Sequence, residues 1–517
     1  MVEPIALTNR KQLFIDSRWF AKSHGVALRV NPPTKADMVF VPEKPWEGTI
    51  SPYSNIVEHE GIYKMWYLAH RVDASNKKPG DAVCTCYAES TNGINWERPN
   101  LGLFSFDGVA DTNIVMPGAS PFVMIDPNGP DEHRYKSLSS VKETDRWSQT
   151  EGCIGSAYAY LESEKRWVEK TREEGGRGYK ELYLCTSADG LRWNVHHPGA
   201  LPFYHDSHNQ VGYDTRLRKY VAYVRWHQKG RAVSRTEFDD PMVLPWPFRD
   251  NPKAERGPGN SRARVGDEMH VVLDRDEADP VDTDLYTPGV HQYPWAADAY
   301  FSFTTPYRHY PVGDTSDTTM RGKDERGRYR NDGPVDVQLA VSRDGIDFSR
   351  PDRKPYVGLG IEGSHDGGQV YMTHGMVRKG DEIWQYYVGT PATHGAESAQ
   401  KSSGIRRVVQ RLDGFMSADA EYTGADFTTP LLTFTGSKLT INVDCSAMGE
   451  VWVEIRDDWN HPIPGYALDE AISIDRNHVA VNVRWRDRDT VEPLIGRPVR
   501  LHFKLRACKL YAFQFVD

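Results

Sequence analysis

The residues best equipped for chemistry are carboxylates, histidines and glutamines that open otherwise apolar segments. Glu47 follows Trp46, Asp206 precedes His208 and Gln210, and His365, Asp366 and Gln369 crowd one short stretch. Tyr286, His291, Gln292 and Trp295 form a further group, and Asp111 and Asp126 another. Cleaving a glycosidic bond takes one carboxylic acid to protonate the leaving oxygen and a second carboxylate to act as nucleophile or to activate water. Carboxylates held close together push each other's pKa values apart, which assigns the acid and base roles. Glu47, Asp206 and Asp366 are the candidate catalytic carboxylates. Trp46, Tyr286 and Trp295 offer faces for sugar stacking, while His208, Gln210, His291, Gln292, His365 and Gln369 offer hydrogen bonds to hydroxyls. Each also has a plainer reading. Glu47 suits a solvated turn, Asp206 a cap on its neighbours, Asp366 a tight turn before Gly367-Gly368, and the histidines a packed core. A cluster of histidines is also metal-ligand chemistry, but no spacing supports it, so no metal and no cofactor is expected.

Chemistry spread over more than 300 positions needs a scaffold that gathers it. A turn formula, Ser-x-Asx-Gly-Ile/Leu-x-Trp/Phe, occurs at Ser90 to Trp96, Ser187 to Trp193 and Ser342 to Phe348. A degenerate copy lies at Arg411 to Phe415 and a weaker one at Thr236 to Asp240. Gly after Asn or Asp supplies the positive φ of a tight turn. An aromatic-rich strand precedes each copy: Tyr63 to Tyr67, Arg134 to Leu138, Lys219 to Val224, Asp298 to Phe303 and Glu382 to Tyr387. Five self-similar β units predict a five-bladed propeller, because one sheet cannot bury both faces and must stack on its copies. The first strand of each blade would line a central channel, so the unit openings, not the turns, are where function is expected.

From about residue 432 the pattern becomes short period-two strands, among them Leu439 to Val443, Val451 to Ile455 and Tyr511 to Phe515, which read as a β-sandwich. The expected organisation is all-β: an N-terminal arm over residues 1–40 that lies on the propeller and can lend it a closing strand, the propeller over 41–430, and the sandwich over 431–517.

At 517 residues, 39% hydrophobic and 26% charged, the chain is globular and too long for one ordinary core. A net charge of −9 without a basic run argues against nucleic acid. No apolar run is long enough to span a bilayer, so no membrane partner is expected. Six scattered cysteines without Cys-x-x-Cys, and an N-terminus without a secretory leader, predict reduced thiols in the cytoplasm.

The turn formula, the Tyr63-Lys64-Met65-Trp66-Tyr67 strand and the terminal sandwich resemble the five-bladed propeller glycosidases of glycoside hydrolase families 32, 43 and 68. Val451 to Ile455, Pro462 to Tyr466 and Pro498 to Phe503 are similar to the C-terminal module of family 32. That resemblance implies an acidic nucleophile or base on blade one, an Asp on blade two and an acid on blade three. The Asn-Asp-Pro-Asn, Arg-Asp-Pro and Glu-Cys signatures of those positions are absent here. Glu47, Asp111 or Asp126, and Asp206 are the counterparts by position only. The expected activity is a glycoside hydrolase or transglycosidase acting on a short oligosaccharide, with furanosides among the substrates the resemblance implies. The alternatives are a non-catalytic propeller that binds a glycan or a protein, and a metal-dependent propeller lyase or lactonase.

Overall fold

A computed structural model describes residues 3–70, 83–106, 108–117, 122–139, 157–161, 166–170, 182–196, 199–201, 208–227, 230–248, 269–310, 332–395 and 403–517. Among them the chain is all-β, with three short 3-10 turns, and no helix is long and apolar enough to cross a membrane.

Five antiparallel sheets follow one another in sequence. The first runs Asn55–His59, Ile62–His70, Val83–Ser90 and Ile114–Pro117, with Thr49–Ile50 also on Ile62–His70. The second is Val123–Ile125, Tyr135–Ser139, Tyr183–Ser187 and Asn194–Val195; the third is Gln210–Asp214, Lys219–His227, Arg231–Phe238 and His270–Leu273. The fourth is Val290–Gln292, Tyr300–Thr304 and Gln338–Ser342, and the pair Thr283–Leu285 and Pro306–Arg308 extends the same chain segments. The fifth is Gln369–Met372, Glu382–Thr390 and Gly404–Arg411, and its outer strand is Thr34–Phe40 from the N-terminal region.

Apolar clusters join each sheet to the next. Trp66, Val123 and Tyr135 lie between the first and second, Leu138, Leu184 and Val211 between the second and third, and Val221, Val290 and Ala340 between the third and fourth. Phe301, Val341, Val370 and Ile383 lie between the fourth and fifth, and Ile56, Met65, Tyr386 and Val388 between the fifth and first.

The repeated turn explains how neighbours register. In all three full copies the Ser hydroxyl accepts the Gly N–H at 2.9 to 3.0 Å, and the Asn or Asp Oδ1 accepts the next two N–H groups. The glycines sit at φ +72, +78 and +75°. Each glycine carbonyl accepts a hydrogen bond from an aromatic side chain of the preceding sheet. Tyr386 Oη donates to Gly93 at 2.9 Å, Trp66 Nε1 to Gly190 at 2.7 Å and Tyr223 Oη to Gly345 at 2.8 Å. In the degenerate copy Asp413, at φ +64°, takes the turn position and accepts from Tyr293 Oη of the fourth sheet at 2.8 Å.

The N-terminal residues divide between two bodies. Lys22–His24 and Val26–Val30 belong to the two sheets around the C-terminal core, which packs Phe14, Trp19, Phe427, Val453, Phe503 and Phe513. Only Thr34–Phe40 joins the fifth sheet, and it is pinned at both ends. Lys35 Nζ lies 2.7 Å from Asp366 Oδ2, and the Arg98 guanidinium covers the Phe40 ring at 3.8 Å.

A Cβ on Gly190 would stand 2.8 Å from Trp66, whereas one on Gly61, also at positive φ, meets nothing within 4 Å. Gly190→Ala is therefore expected to lose about 1–3 kcal/mol more than Gly61→Ala. Urea midpoints of the two variants check this; equal losses would mean the aromatic seat contributes nothing.

Candidate functional site

Two of the three expected carboxylates prove to be tied into ion pairs. Glu47 is fully buried at the edge of the first sheet. Its carboxylate accepts the N–H groups of Glu43 and Lys44 at 2.9 and 3.1 Å, the Tyr67 hydroxyl, and Arg98 Nε at 2.9 Å. Asp366 accepts from Lys35, from Tyr387 Oη at 2.8 Å and from Ser364 Oγ at 3.1 Å; burial pushes its carboxyl up, but Lys35, Tyr387 and His365 together hold it below the ordinary range. Glu47 reaches the closing strand through Arg98 at Phe40 and Asp366 reaches it at Lys35. Five extended residues, about 15 Å of strand, separate those two points. Both contacts hold the strand Thr34–Phe40. Asp206, the third, lies outside the described residues.

The two candidates expected in the second unit divide, and Asp111 proves to precede Ile114–Pro117 of the first sheet. Asp111 is exposed, whereas Asp126 is buried against Lys136 at 2.7 Å and Tyr220 Oη at 2.8 Å. Trp46 is core, its Nε1 donating to Asn113 Oδ1 at 2.9 Å. Gln369 is buried on Thr390 Oγ1 at 3.0 Å, and half-buried His365 stands 3.7 Å from Asp366. Gln292 joins Asp214 and Tyr300 in a network at the far end of its strand. Trp295, further on, lines a groove considered below.

Three other expected residues, His208, Gln210 and His291, do converge, and around His374 they meet groups from the remaining sheets. His291 of the fourth sheet stacks on His374 of the fifth with centroids 4.0 Å apart. Phe122, ahead of the second sheet, meets the edge of the same ring at 4.6 Å, and His208, ahead of the third, stands 6.1 Å away. Gln210 binds His374 Nδ1 through its amide nitrogen, while its oxygen accepts Val290 N–H at 2.9 Å. In the first sheet, Asn55 and His374 form a parallel bridge, and Asn55 Oδ1 accepts Val123 N–H at 2.6 Å. Burial lowers the imidazole pKa of His208 to about 4 and of His291 to about 3, and lowers that of His374 as well. Among the described residues no group of three His, Cys, Asp or Glu side chains is arranged to hold a metal.

Beside these histidines lies a second, more polar cluster at the openings of the strands. The Tyr53 ring stacks near His208 at 5.8 Å, and its hydroxyl donates to Tyr286 Oη at 3.1 Å. The guanidinium groups of Arg225 and Arg231 lie 4.7 and 4.9 Å from the Tyr286 ring, and His394 5.0 Å from it. His394 Nδ1 is 2.8 Å from Tyr371 Oη and the His394 ring 4.7 Å from that of Tyr307. Asp284 pairs with Arg231 and His309; burial opposes its ionisation, yet these partners bring its pKa down to about 2. Asp332 Oδ1 accepts the N–H groups of Gly333 and Gly395 at 2.7 and 2.8 Å, and its charge helps raise the Tyr307 phenol. Among the described residues, three buried atoms here have no hydrogen-bond partner: Tyr307 Oη, Arg231 Nε and His208 Nε2. The cluster thus combines ring faces, fixed cations, two carboxylates and unsatisfied polar atoms, a combination suited to a polyhydroxylated ligand.

Sequence reasoning reached Tyr286, His208, Gln210 and His291 but missed Tyr53, Arg225, Arg231, Asp284, Tyr307, Asp332 and Tyr371. One signal was present. Arg225 interrupts the apolar run Tyr220 to Trp226, and a fully buried arginine in a strand is rare without a purpose.

No family model matches the chain, and no curated protein matches it. Among solved structures it is similar to BT0996 in a complex with RGII, at 14% identity and TM-score 0.42 over 74% of this chain and 92% of that one. It is similar to a glycosyl hydrolase of Bacteroides ovatus at 15% identity and TM-score 0.40, over 78% and 97% of the two chains. The GH32 β-fructofuranosidase of Bombyx mori aligns at 10% identity and TM-score 0.39, over 92% and 94%. Likenesses this loose assign neither activity nor substrate.

The clustered histidines make a pH prediction. A folded-state pKa below the ordinary value near 6.5 means the unfolded chain takes up more protons as the pH falls. Stability is therefore fully present above about pH 6.5 and lost as the pH drops toward 4. His208→Phe removes one such group whose Nε2 has no partner. The variant is expected to lose about 2 kcal/mol less than the parent between pH 7 and pH 5, read from urea unfolding at the two pH values. A parallel decline in both proteins would refute it.

Proposed function

We propose that the five sheets close into a five-bladed propeller and that the cluster around Tyr286 is the active site of a glycan-acting hydrolase or transglycosidase. The observation that carries this reading is the convergence of side chains from all five sheets on one axis, with aromatic, cationic and carboxylate groups gathered beside it. The propeller reading draws further support from the apolar cluster that joins the fifth sheet to the first.

In this reading the rings of Tyr53, Tyr286 and Tyr371 face sugar rings, and Arg225, Arg231, His208 and His394 bind hydroxyls. Asp332 is the carboxylate that acts as nucleophile or activates water. Its Oδ1 is held by two backbone N–H groups, and its Oδ2 has no hydrogen-bond partner among the described residues. Asp206, two positions before His208 in the chain, is the proposed acid that protonates the leaving oxygen. Cleavage then adds the elements of water across the glycosidic bond, the departing oxygen taking the proton of the acid. Asp284 belongs to the ion-pair scaffold, since its contacts with Arg231 and His309 keep it ionised.

The test is a screen of the purified protein against oligosaccharides and aryl glycosides, followed by variants. Asp332→Asn and Asp206→Asn are each expected to lower kcat by about 10²–10⁴-fold while leaving the fold intact by circular dichroism. Glu47→Gln and Asp366→Asn are expected to lower thermal stability while the folded fraction keeps its rate. Full activity in both of the first two variants would remove the proposed acid and base. Saturable glycan binding without turnover of any substrate would favour a binding protein instead.

A further inference from the structure

A groove of about 970 Å³ lies where the fourth and fifth sheets meet the C-terminal sandwich, beyond the opposite end of the strand that follows Tyr286. Trp295 lines it, half-buried, with its ring set edge-on to Tyr293 at 5.1 Å. The turn carrying Trp295 is held from two sides. Arg10 donates to the Pro294 carbonyl at 2.7 Å, and Tyr293 Oη donates to Asp413, which is itself paired with Lys11 at 2.6 Å. The indole is therefore presented on a fixed support and does not have to be ordered by a ligand.

The charged side chains lining the groove are three cations, Arg10, Lys11 and Arg378, against the single carboxylate of Asp381. Lys11 is taken up by Asp413, but the two arginines retain donors. Arg378 uses only Nε, toward the Gly380 carbonyl at 2.9 Å, and Arg10 only one terminal nitrogen, so the rest have no side-chain or backbone partner among the described residues. A positive groove is unexpected on a chain of net charge −9. Guanidinium groups match carboxylates in a planar, bidentate way, and an indole face suits the apolar face of a sugar ring. Asn9, Asn477 and Gln514 add amide groups on the sandwich side.

We propose that this groove binds an acidic oligosaccharide, with Trp295 as the stacking surface and Arg10 and Arg378 as partners of its carboxylates. It is separate from the cluster around Tyr286, and its ligand would hold the protein on an anionic glycan whatever chemistry occurs at the channel mouth.

Calorimetric titration of the full chain with a trimer of galacturonic acid tests this, with a neutral glucose trimer and a trinucleotide as comparisons. The acidic trimer is expected to bind, to weaken with added salt, and to bind about tenfold more weakly to Trp295→Ala and to Arg378→Ala. Arg378 is exposed, so its variant keeps the test decisive should Trp295→Ala fail to fold. Absence of binding by the parent protein overturns the proposal, as does equal binding of the neutral trimer or the trinucleotide. Binding that survives both groove variants but is lost in Asp332→Asn places the ligand at the channel mouth and overturns it too. Binding that survives Asp332→Asn supports the groove, even should the catalytic assignment fail.

Discussion

The constraint on which the rest depends is the seat of one sheet's turn on an aromatic side chain of the sheet before it. A glycine with φ near +75° brings its carbonyl against the hydrogen-bonding end of a Tyr or Trp, with no room for a Cβ. Burying such an aromatic contributes about 2–3 kcal/mol, and the hydrogen bond to the glycine carbonyl fixes its direction. The contact links the fifth sheet to the first, the first to the second and the third to the fourth. Between the fourth and fifth, an aspartate in the same left-handed conformation replaces the glycine contact with a carboxylate-to-tyrosine hydrogen bond.

With neighbouring sheets linked in this way, polar side chains from near the starts of their strands come together. His374 is the centre of that convergence. Its ring touches groups from the second, third and fourth sheets, and its backbone is bonded to the first. Such groups are tolerated as neutral species because burial suppresses imidazole ionisation. The adjacent cluster uses the opposite device: Arg231 and His309 keep Asp284 ionised in spite of its burial, and backbone N–H groups fix Asp332.

The carboxylates that stood out in the sequence turn out to fasten the strand Thr34–Phe40. A chain whose last sheet is completed by residues near its N-terminus must hold that strand without covalent help. Lys35 with Asp366 at one end and Arg98 with Glu47 at the other supply charge-assisted contacts, beside the packing of Phe40 on Tyr67. A buried, unpaired carboxylate and a buried, paired one look identical in sequence, because the partner is far away along the chain. Glu47 and Arg98 are 51 positions apart and Lys35 and Asp366 are 331.

What the amino-acid sequence determined by itself is the part of the structure set by local chemistry. The Ser-x-Asx-Gly turns, the aromatic strands before them and the period-two pattern of the C-terminal region each follow from φ preferences and side-chain alternation over a few residues. That the arm can lend a strand was legible in the sequence, but the pairing of residues 34–40 with Gly404–Arg411 and the entry of residues 22–30 into the C-terminal sheets were decided by tertiary structure. So was the make-up of the polar cluster. Tyr286 could be picked out at a strand opening, but Arg225, Tyr307 and Asp332 acquire meaning only when five sheets bring them together, because burial and the identity of a charged neighbour are properties of the assembled fold and not of any segment.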